Sequence, residues 1–283
     1  MLRRVDRVQI AVRDGAAAER EAAAVFGAEL IRRDTVTPLD ARRRVMQLGT
    51  GVVELLEADG AGAVADFIAR WNDGLFAAGF SVNDIDEAAL ALKRQAVPFA
   101  RANGQLFIDE RAAFGMRVVL STFHERAPIG AVRWIYEVTN VIGDWRAAAT
   151  HYARIFGFDQ SRFVPIESGD FGYTGTLAML DAPARLDRIE LSQITVPDGA
   201  MGRFHARRGD SLYMFYVETD DVGAIAERLR ARDGRFTPRH DNPDDGLYIH
   251  PSAFCGALVG VSRTNVAWRW SGDPERARRT TMR

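Results

Sequence analysis

The chain repeats itself, and that repeat limits what it can fold into more than any other feature of the sequence. A strand-like run, Val5-Asp6-Arg7-Val8-Gln9-Ile10-Ala11-Val12, recurs as Ile135-Tyr136-Glu137-Val138-Thr139-Asn140-Val141-Ile142. Asp14 and Asp144 follow where an N-cap belongs, and the helices expected at 15–26 and 145–156 both end in Phe-Gly, with glycine as the terminator. These segments lie 130 residues apart. Val53-Glu54-Leu55 then matches Ile189-Glu190-Leu191 at an offset of 136, and Phe67-Ile68-Ala69-Arg70 matches Phe204-His205-Ala206-Arg207 at 137. Residues 107–121 lie on residues 248–262 at a constant 141. A slowly growing offset is what loop insertions into a duplicated chain produce.

Each half reads as strand, helix and three strands, twice over. In half one, strands are expected near 5–12, 28–34, 43–48, 51–57, 74–82, 97–102, 104–109 and 115–122, with helices at 15–26 and 84–95 and a short joining helix at 62–72. In half two, strands are expected near 134–142, 157–163, 172–181, 187–194, 210–218, 235–239, 246–250 and 255–262, with helices at 145–156 and 221–232. The expectation is an α+β protein of four βαβββ units in two modules, 1–124 and 132–263. The run Glu125-Arg126-Ala127-Pro128-Ile129-Gly130 reads as a linker over 125–131, and 264–283 as a flexible, solvated C-terminal tail. With 283 residues, 47% of them hydrophobic, the chain can support two cores. Thirty-seven Lys and Arg against 38 Asp and Glu leave a net charge of -1, which argues against nucleic acid or anionic lipid as a partner. The single cysteine, Cys255, rules out an intrachain disulfide and suits the cytoplasm, and no run of about 18 apolar residues suggests a membrane span.

Four βαβββ units in tandem, with the Val-Asp-x-Val opening, the Phe-Gly helix end, the Val-Glu-Leu strand and the Ser81-Val82-Asn83-Asp84-Ile85-Asp86 strand exit, resemble the vicinal oxygen chelate superfamily. That superfamily includes glyoxalase I, methylmalonyl-CoA epimerase, extradiol dioxygenases, hydroxyphenylpyruvate dioxygenase and bleomycin resistance proteins. The resemblance covers residues 3–263. It implies curved mixed sheets whose concave faces form cups for a small-molecule ligand, usually around a divalent metal held by His, Glu or Gln, His and Glu. The matching positions here are Arg7, Glu54, Ala77 and Val119 in half one, and Glu137, Glu190, Leu212 and Gly260 in half two. Only the two glutamates on the fourth strands fit. Histidines 124, 151, 205, 240 and 250 all lie elsewhere, so the expected His-His-carboxylate set is missing. His250-Pro251 is similar to a pair found in members that act on thioesters.

Strand alternation gives the linings, because residues two apart share a face. Cup one would present Arg7, Gln9, Glu54, Gly79, Ser81, Arg117 and Ser121, either as a structural ion pair of Arg7 with Glu54 or as a carboxylate-binding site using Arg7 or Arg117. Cup two would present Glu137, Thr139, Glu190, Ser192, Met214, Tyr216, Leu258 and Ser262, with His250 nearby. Two carboxylates facing each other would push one pKa up and form an acid/base couple for moving a proton beside a carbonyl. Alternatively they would hold Mg or Mn, or Glu137 would simply pair with a neighbour such as Arg188. The glycine-rich run 169–175 reads as a flexible loop over a cup mouth. The favoured function is an isomerase or lyase acting on a carbonyl or thioester compound through Glu137 and Glu190, with no resident cofactor. The alternatives are a non-catalytic binder for sequestration and an extradiol-type dioxygenase. A homodimer is compatible with this plan.

Overall fold

A computed structural model describes residues 1–181 and 184–278. Half one comprises β1 (Leu2–Ala11), α1 (Gly15–Phe26), β2 (Glu29–Val36), β3 (Ala41–Leu48), β4 (Gly51–Ala58), α2 (Ala63–Trp71), β5 (Gly74–Val82), α3 (Ile85–Arg94), β6 (Ala100–Ala102), β7 (Gln105–Ile108) and β8 (Val118–Thr122). Half two repeats the order with β9 (Trp134–Ile142), α4 (Trp145–Phe156), β10 (Val164–Ser168), β11 (Tyr173–Met179), β12 (Arg188–Ile194), α5 (Ala200–Arg208), β13 (Ser211–Thr219), α6 (Val222–Arg230), β14 (Phe236–Pro238), β15 (Gly246–Ile249) and β16 (Leu258–Arg263), then adds α7 (Pro274–Arg278). The helix boundaries have local causes. Asp14, Asp84, Asp144 and Asp221 each accept a backbone N–H from the first turn of the helix they open. Gly27 and Gly157 end α1 and α4 at φ 70° and 71°, a left-handed turn that glycine enters without strain.

Each half makes one eight-stranded sheet, in the orders β2-β3-β4-β1-β5-β8-β7-β6 and β10-β11-β12-β9-β13-β16-β15-β14. The first and fourth strands of every unit pair in parallel, and the units meet through the antiparallel pairs β1–β5 and β9–β13. The largest apolar cluster takes in residues of all four long unit helices and of both sheets, including Phe26, Phe80, Phe156 and Phe254. It is one core shared between the modules. Two smaller clusters, one around Phe76 and Phe107 and one around Tyr136 and Trp268, belong to a single sheet each.

Three expectations need correction. Residues 157–163 do not form a strand, because Asp159 caps a short 3-10 turn at Gln160–Arg162 and the edge strand begins only at Val164. The joining segment of half two is the helix α5, so the duplication is more complete than the strand pattern suggests. Residues 264–278 are not a solvated tail. They form a 3-10 turn at Val266–Trp270 followed by α7, and Trp268 is only 2% exposed. Residues 279–283 lie outside the described residues. The 125–131 stretch carries no helix or strand, and is tied to half one by Ala131 N–H donating to Phe26 O and by Gln47 donating to Ala127 O.

Candidate functional site in the second cup

Both cups begin from the same irregularity. Asp6 is an extra residue between the pairs Val5–Phe80 and Arg7–Gly79, and Tyr136 is its counterpart between Ile135–Val217 and Glu137–Tyr216. Such a bulge twists the strand and re-aims the adjacent side chains. In cup one it lets Arg7 Nε meet Asp6 at 3.3 Å while Arg7 crosses the sheet. Gly79 stands opposite, where a Cβ would come within 1.8 Å of Arg7 Cγ, so only glycine leaves room.

Arg7 donates to Glu54 Oε1 at 2.6 Å and Gln105 to the same oxygen at 2.8 Å. Gln9 donates to Glu54 Oε2 at 2.7 Å and Arg43 at 3.2 Å. Arg43 in turn donates to Gln105 and, at 2.8 and 2.6 Å, to Asp34. Burial alone would raise the Glu54 pKa, but Arg7 and Arg43 outweigh it and hold the carboxyl below its ordinary range. Every acceptor position of Glu54 is taken, and the network plugs the cup. What remains is a cavity of about 390 Å³ lined by Gln9, Phe76, Phe107 and Arg117. Arg117 lies 4.5 Å from the Phe76 ring centre and pairs with Glu110.

Cup two has the opposite chemistry. Arg188 is fully buried on β12 and donates its Nε to Glu137 Oε2 at 2.6 Å and its Nη1 to Ser271 Oγ at 2.6 Å. Thr139 donates to the other Glu137 oxygen at 3.3 Å. Glu190, two residues from Arg188 on the same strand, hydrogen-bonds Glu137 and accepts from Ser192 Oγ at 2.6 Å. Burial first, and then the charge of Glu137, push the Glu190 carboxyl well above its ordinary range, which favours its neutral form. Its carboxyl opens onto a cavity of about 610 Å³ walled by Phe171, Tyr173, Tyr213, Tyr216, Tyr248 and Trp270. Tyr216 donates to Tyr248 Oη at 3.4 Å, and its ring lies over Gly260, where a Cβ would fall 2.1 Å from ring atoms. Burial keeps the Tyr173 and Tyr216 phenols protonated, with the two glutamates reinforcing it. Arg239 sits at the rim, paired with Asp241 at 3.0 Å and stacked 4.9 Å from Trp270.

A divalent metal does not fit either cup. Glu54 is saturated by two guanidiniums and two amides. Glu137 is bound to Arg188, which leaves Glu190 alone among the ligand positions, without an imidazole. No group of three His, Cys, Asp or Glu side chains among the described residues could hold a metal ion. The ring-cleaving alternative, which relies on iron, has no donor set here.

The residues singled out from the sequence separate into those at the cavity and those that are not. Thr139, Glu190, Met214, Tyr216 and Leu258 line it. Ser192 supports Glu190. Glu137 does not face the cavity, so the two-carboxylate couple expected to act on substrate is reduced to one acid with its partner locked behind it. Ser262 is bonded to Tyr136 at 2.8 Å, and a bulge between Leu212 and Met214 sends Leu212 into the shared core. His250 is not at the cup either, since its Nδ1 accepts from Ser252 N–H at 3.2 Å and caps the turn Pro251–Ala253. Arg7, Gln9 and Glu54 come together, but as a plug; Arg117 stands apart at the mouth. Sequence reasoning missed Arg43, Gln105, Tyr173, Tyr248, Arg239 and Trp270. Strand alternation over residues 41–45 held the signal for Arg43, and the repeat that sets Tyr248 on Phe107 held the one for Tyr248.

Two tandem modules of paired βαβββ units, each with a concave face, define the class, and comparison with known proteins agrees. The model of the Glyoxalase/Bleomycin resistance protein/Dioxygenase superfamily matches residues 4–126 and 134–259, and the chain belongs to that superfamily. A mutant of 4-hydroxymandelate synthase from Streptomyces coelicolor superposes with a TM-score of 0.72 at 14% identity, over 93% of this chain and 93% of its own. A fusion of a xylose isomerase-like TIM barrel with 4-hydroxyphenylpyruvate dioxygenase gives 0.63 at 14% identity, covering 99% of this chain and 53% of that one. Methylmalonyl-CoA epimerase from Mycobacterium tuberculosis aligns with 47% of this chain and 89% of its own at 21% identity, with a TM-score of 0.40. No curated protein matches. At these identities the structural likeness defines the fold alone.

Proposed function

We propose that cup two is the ligand site, that it takes a small aromatic or conjugated carbonyl compound, and that Glu190 acts on the carbonyl oxygen as a neutral acid in an isomerase or lyase type of reaction. The observation that carries this reading is the Glu190 carboxyl on the lining of an aromatic-walled cavity, where burial and Glu137 push its pKa up. A neutral carboxyl donates a hydrogen bond to a carbonyl and stabilises the negative charge that develops there as solvent water takes the proton from the adjacent carbon. Ser192, which donates to Glu190, stabilises the carboxylate as the proton shifts toward the ligand. The ring faces supply stacking for a flat ligand.

A second reading, sequestration without turnover, is favoured by the locking of Glu137, which leaves one titratable group of the pair at the ligand. Proton exchange separates the two. With acetophenone as probe in deuterated buffer and metal-depleted protein, quenching of Trp270 fluorescence reports binding and NMR reports loss of methyl protons. An enzyme accelerates exchange, and Glu190→Gln keeps binding within about threefold while lowering exchange at least a hundredfold. Binding without accelerated exchange in the unaltered protein leaves sequestration; absence of binding sinks both.

A further inference from the structure

The helices α2 and α5 are counterparts in the repeat, and the fold places both at a cleft between the modules. That cleft, of about 840 Å³, is lined by Arg13, Arg203, Arg207 and Arg208 together with Trp71 and Phe204. The carboxylates that face it are already engaged. Asp73 accepts from Arg13 Nε at 2.9 Å and from its backbone N–H at 3.1 Å, and Glu21 accepts from Cys255 N–H at 3.1 Å and Sγ at 3.3 Å. Arg203 donates to the Asp198 carbonyl. Arg207 and Arg208 have no hydrogen-bond or ion-pair partner among the described residues.

Arg208 is the unusual one. Its guanidinium lies 4.7 Å from the Trp71 ring centre, 5.1 Å from Phe204 and 5.5 Å from Phe67, so it bridges the two modules through ring faces. Its Nε is buried with nothing to donate to. Burial, and then the charge of Arg207, lower its pKa to about 10, so it stays charged at pH 7 in a setting that disfavours charge. Stacking satisfies the flat faces of a guanidinium and leaves its N–H edge available, and that edge matches the oxygens of a phosphate. The cleft adjoins the cup: Ala200, Tyr213 and Leu258 line both cavities.

We propose that this cleft is an anion subsite that takes the phosphate or diphosphate group of a ligand whose organic end occupies cup two. The connection between the two ends rests on cup two being the ligand site, whereas the anion subsite itself rests on the arginines alone.

Titration calorimetry of the full chain with inorganic pyrophosphate at low ionic strength tests it. Saturable binding of one pyrophosphate per chain is expected, weakened at least tenfold in Arg208→Ala and in Arg207→Ala. Arg207 is exposed, so its variant guards against misfolding in the first, and thermal melts check both. A phenyl-ketone ester of pyrophosphate should bind at least tenfold tighter than pyrophosphate and lose that excess in Met214→Trp, which fills the cup. If acetophenone binds and pyrophosphate does not, the subsite is overturned and the cup reading stands. Pyrophosphate binding that neither arginine variant weakens also overturns it. If pyrophosphate binds through the arginines while acetophenone does not bind and the ester gains nothing, the cup reading fails and the joined ligand with it.

Discussion

Glu54 and Glu190 hold equivalent places on β4 and β12, and their neighbours decide what each can do. Around Glu54 the neighbours are cations and amide donors, so the carboxylate is ionised and structural. Around Glu190 they are another carboxyl, a hydroxyl and aromatic rings, whose effect with burial outweighs Arg188 and favours the neutral form. Removing Glu54 leaves Arg7 and Arg43 buried without their central partner, so Glu54→Ala should cost about 3–5 kcal/mol in denaturant unfolding. Glu190 titrates with the opposite sign. A folded pKa above the unfolded value means that the stability is fully present below the unfolded carboxyl pKa and is lost as pH rises through the folded one. Glu218, raised to about 7 by burial, adds a loss between its ordinary 4.5 and 7, on the order of 3 kcal/mol. Melting temperatures should therefore fall as pH rises above about 4.5; Glu218→Gln should flatten the curve between about 4.5 and 7, and Glu190→Gln should flatten it from about 4.5 upward. Curves parallel to the unaltered protein would count against both assignments.

Among the elements, those set by neighbours in sequence were legible and those set by distant contacts were not. The capping aspartates and the Phe-Gly helix ends act within one turn, so α1, α3, α4 and α6 can be read from the chain. The paired bulges at Asp6 and Tyr136 arise where two strands of unequal local length meet, and no residue pattern marks them. The sequence left open whether Glu137 faces the ligand or pairs with Arg188; it is that pair, formed between two strands, that keeps Glu137 off the cavity while Glu190 on β12 lines it. The segment after β16 was misjudged for a different reason. Its arginine-rich end masks Val266-Ala267-Trp268-Arg269-Trp270, whose two tryptophans are the signal that it docks. Trp268 is among the largest fully buried side chains, and Trp268→Ala should cost about 3–5 kcal/mol by thermal or chemical unfolding. Because Ser271 holds Arg188 and Trp270 walls the cavity, that variant should also weaken binding in cup two, whereas a frayed segment would leave binding unchanged.

Across the whole molecule, the duplication was readable because repeats survive as order and spacing, while the division of labour between the cups depends on residues contributed from far along the chain, such as Arg43 and Gln105 to Glu54. The core shared by the two modules has its own consequence. Val5 N–H donates to Asp187 at 2.9 Å, and Phe26 meets Phe254 with ring centres 4.9 Å apart. Residues 1–126 and 132–278 expressed separately should each expose that apolar face and aggregate, and co-expressed they should reassemble into a 1:1 complex seen by size exclusion. Two independently soluble, monomeric halves would show that the shared core is dispensable. The plug in the first cup carries a last consequence, for counting. A duplicated polypeptide ordinarily offers two berths for its guest; here one is filled by the chain's own charges. Saturation with a guest of the second cup should therefore follow a simple hyperbola at one guest per polypeptide.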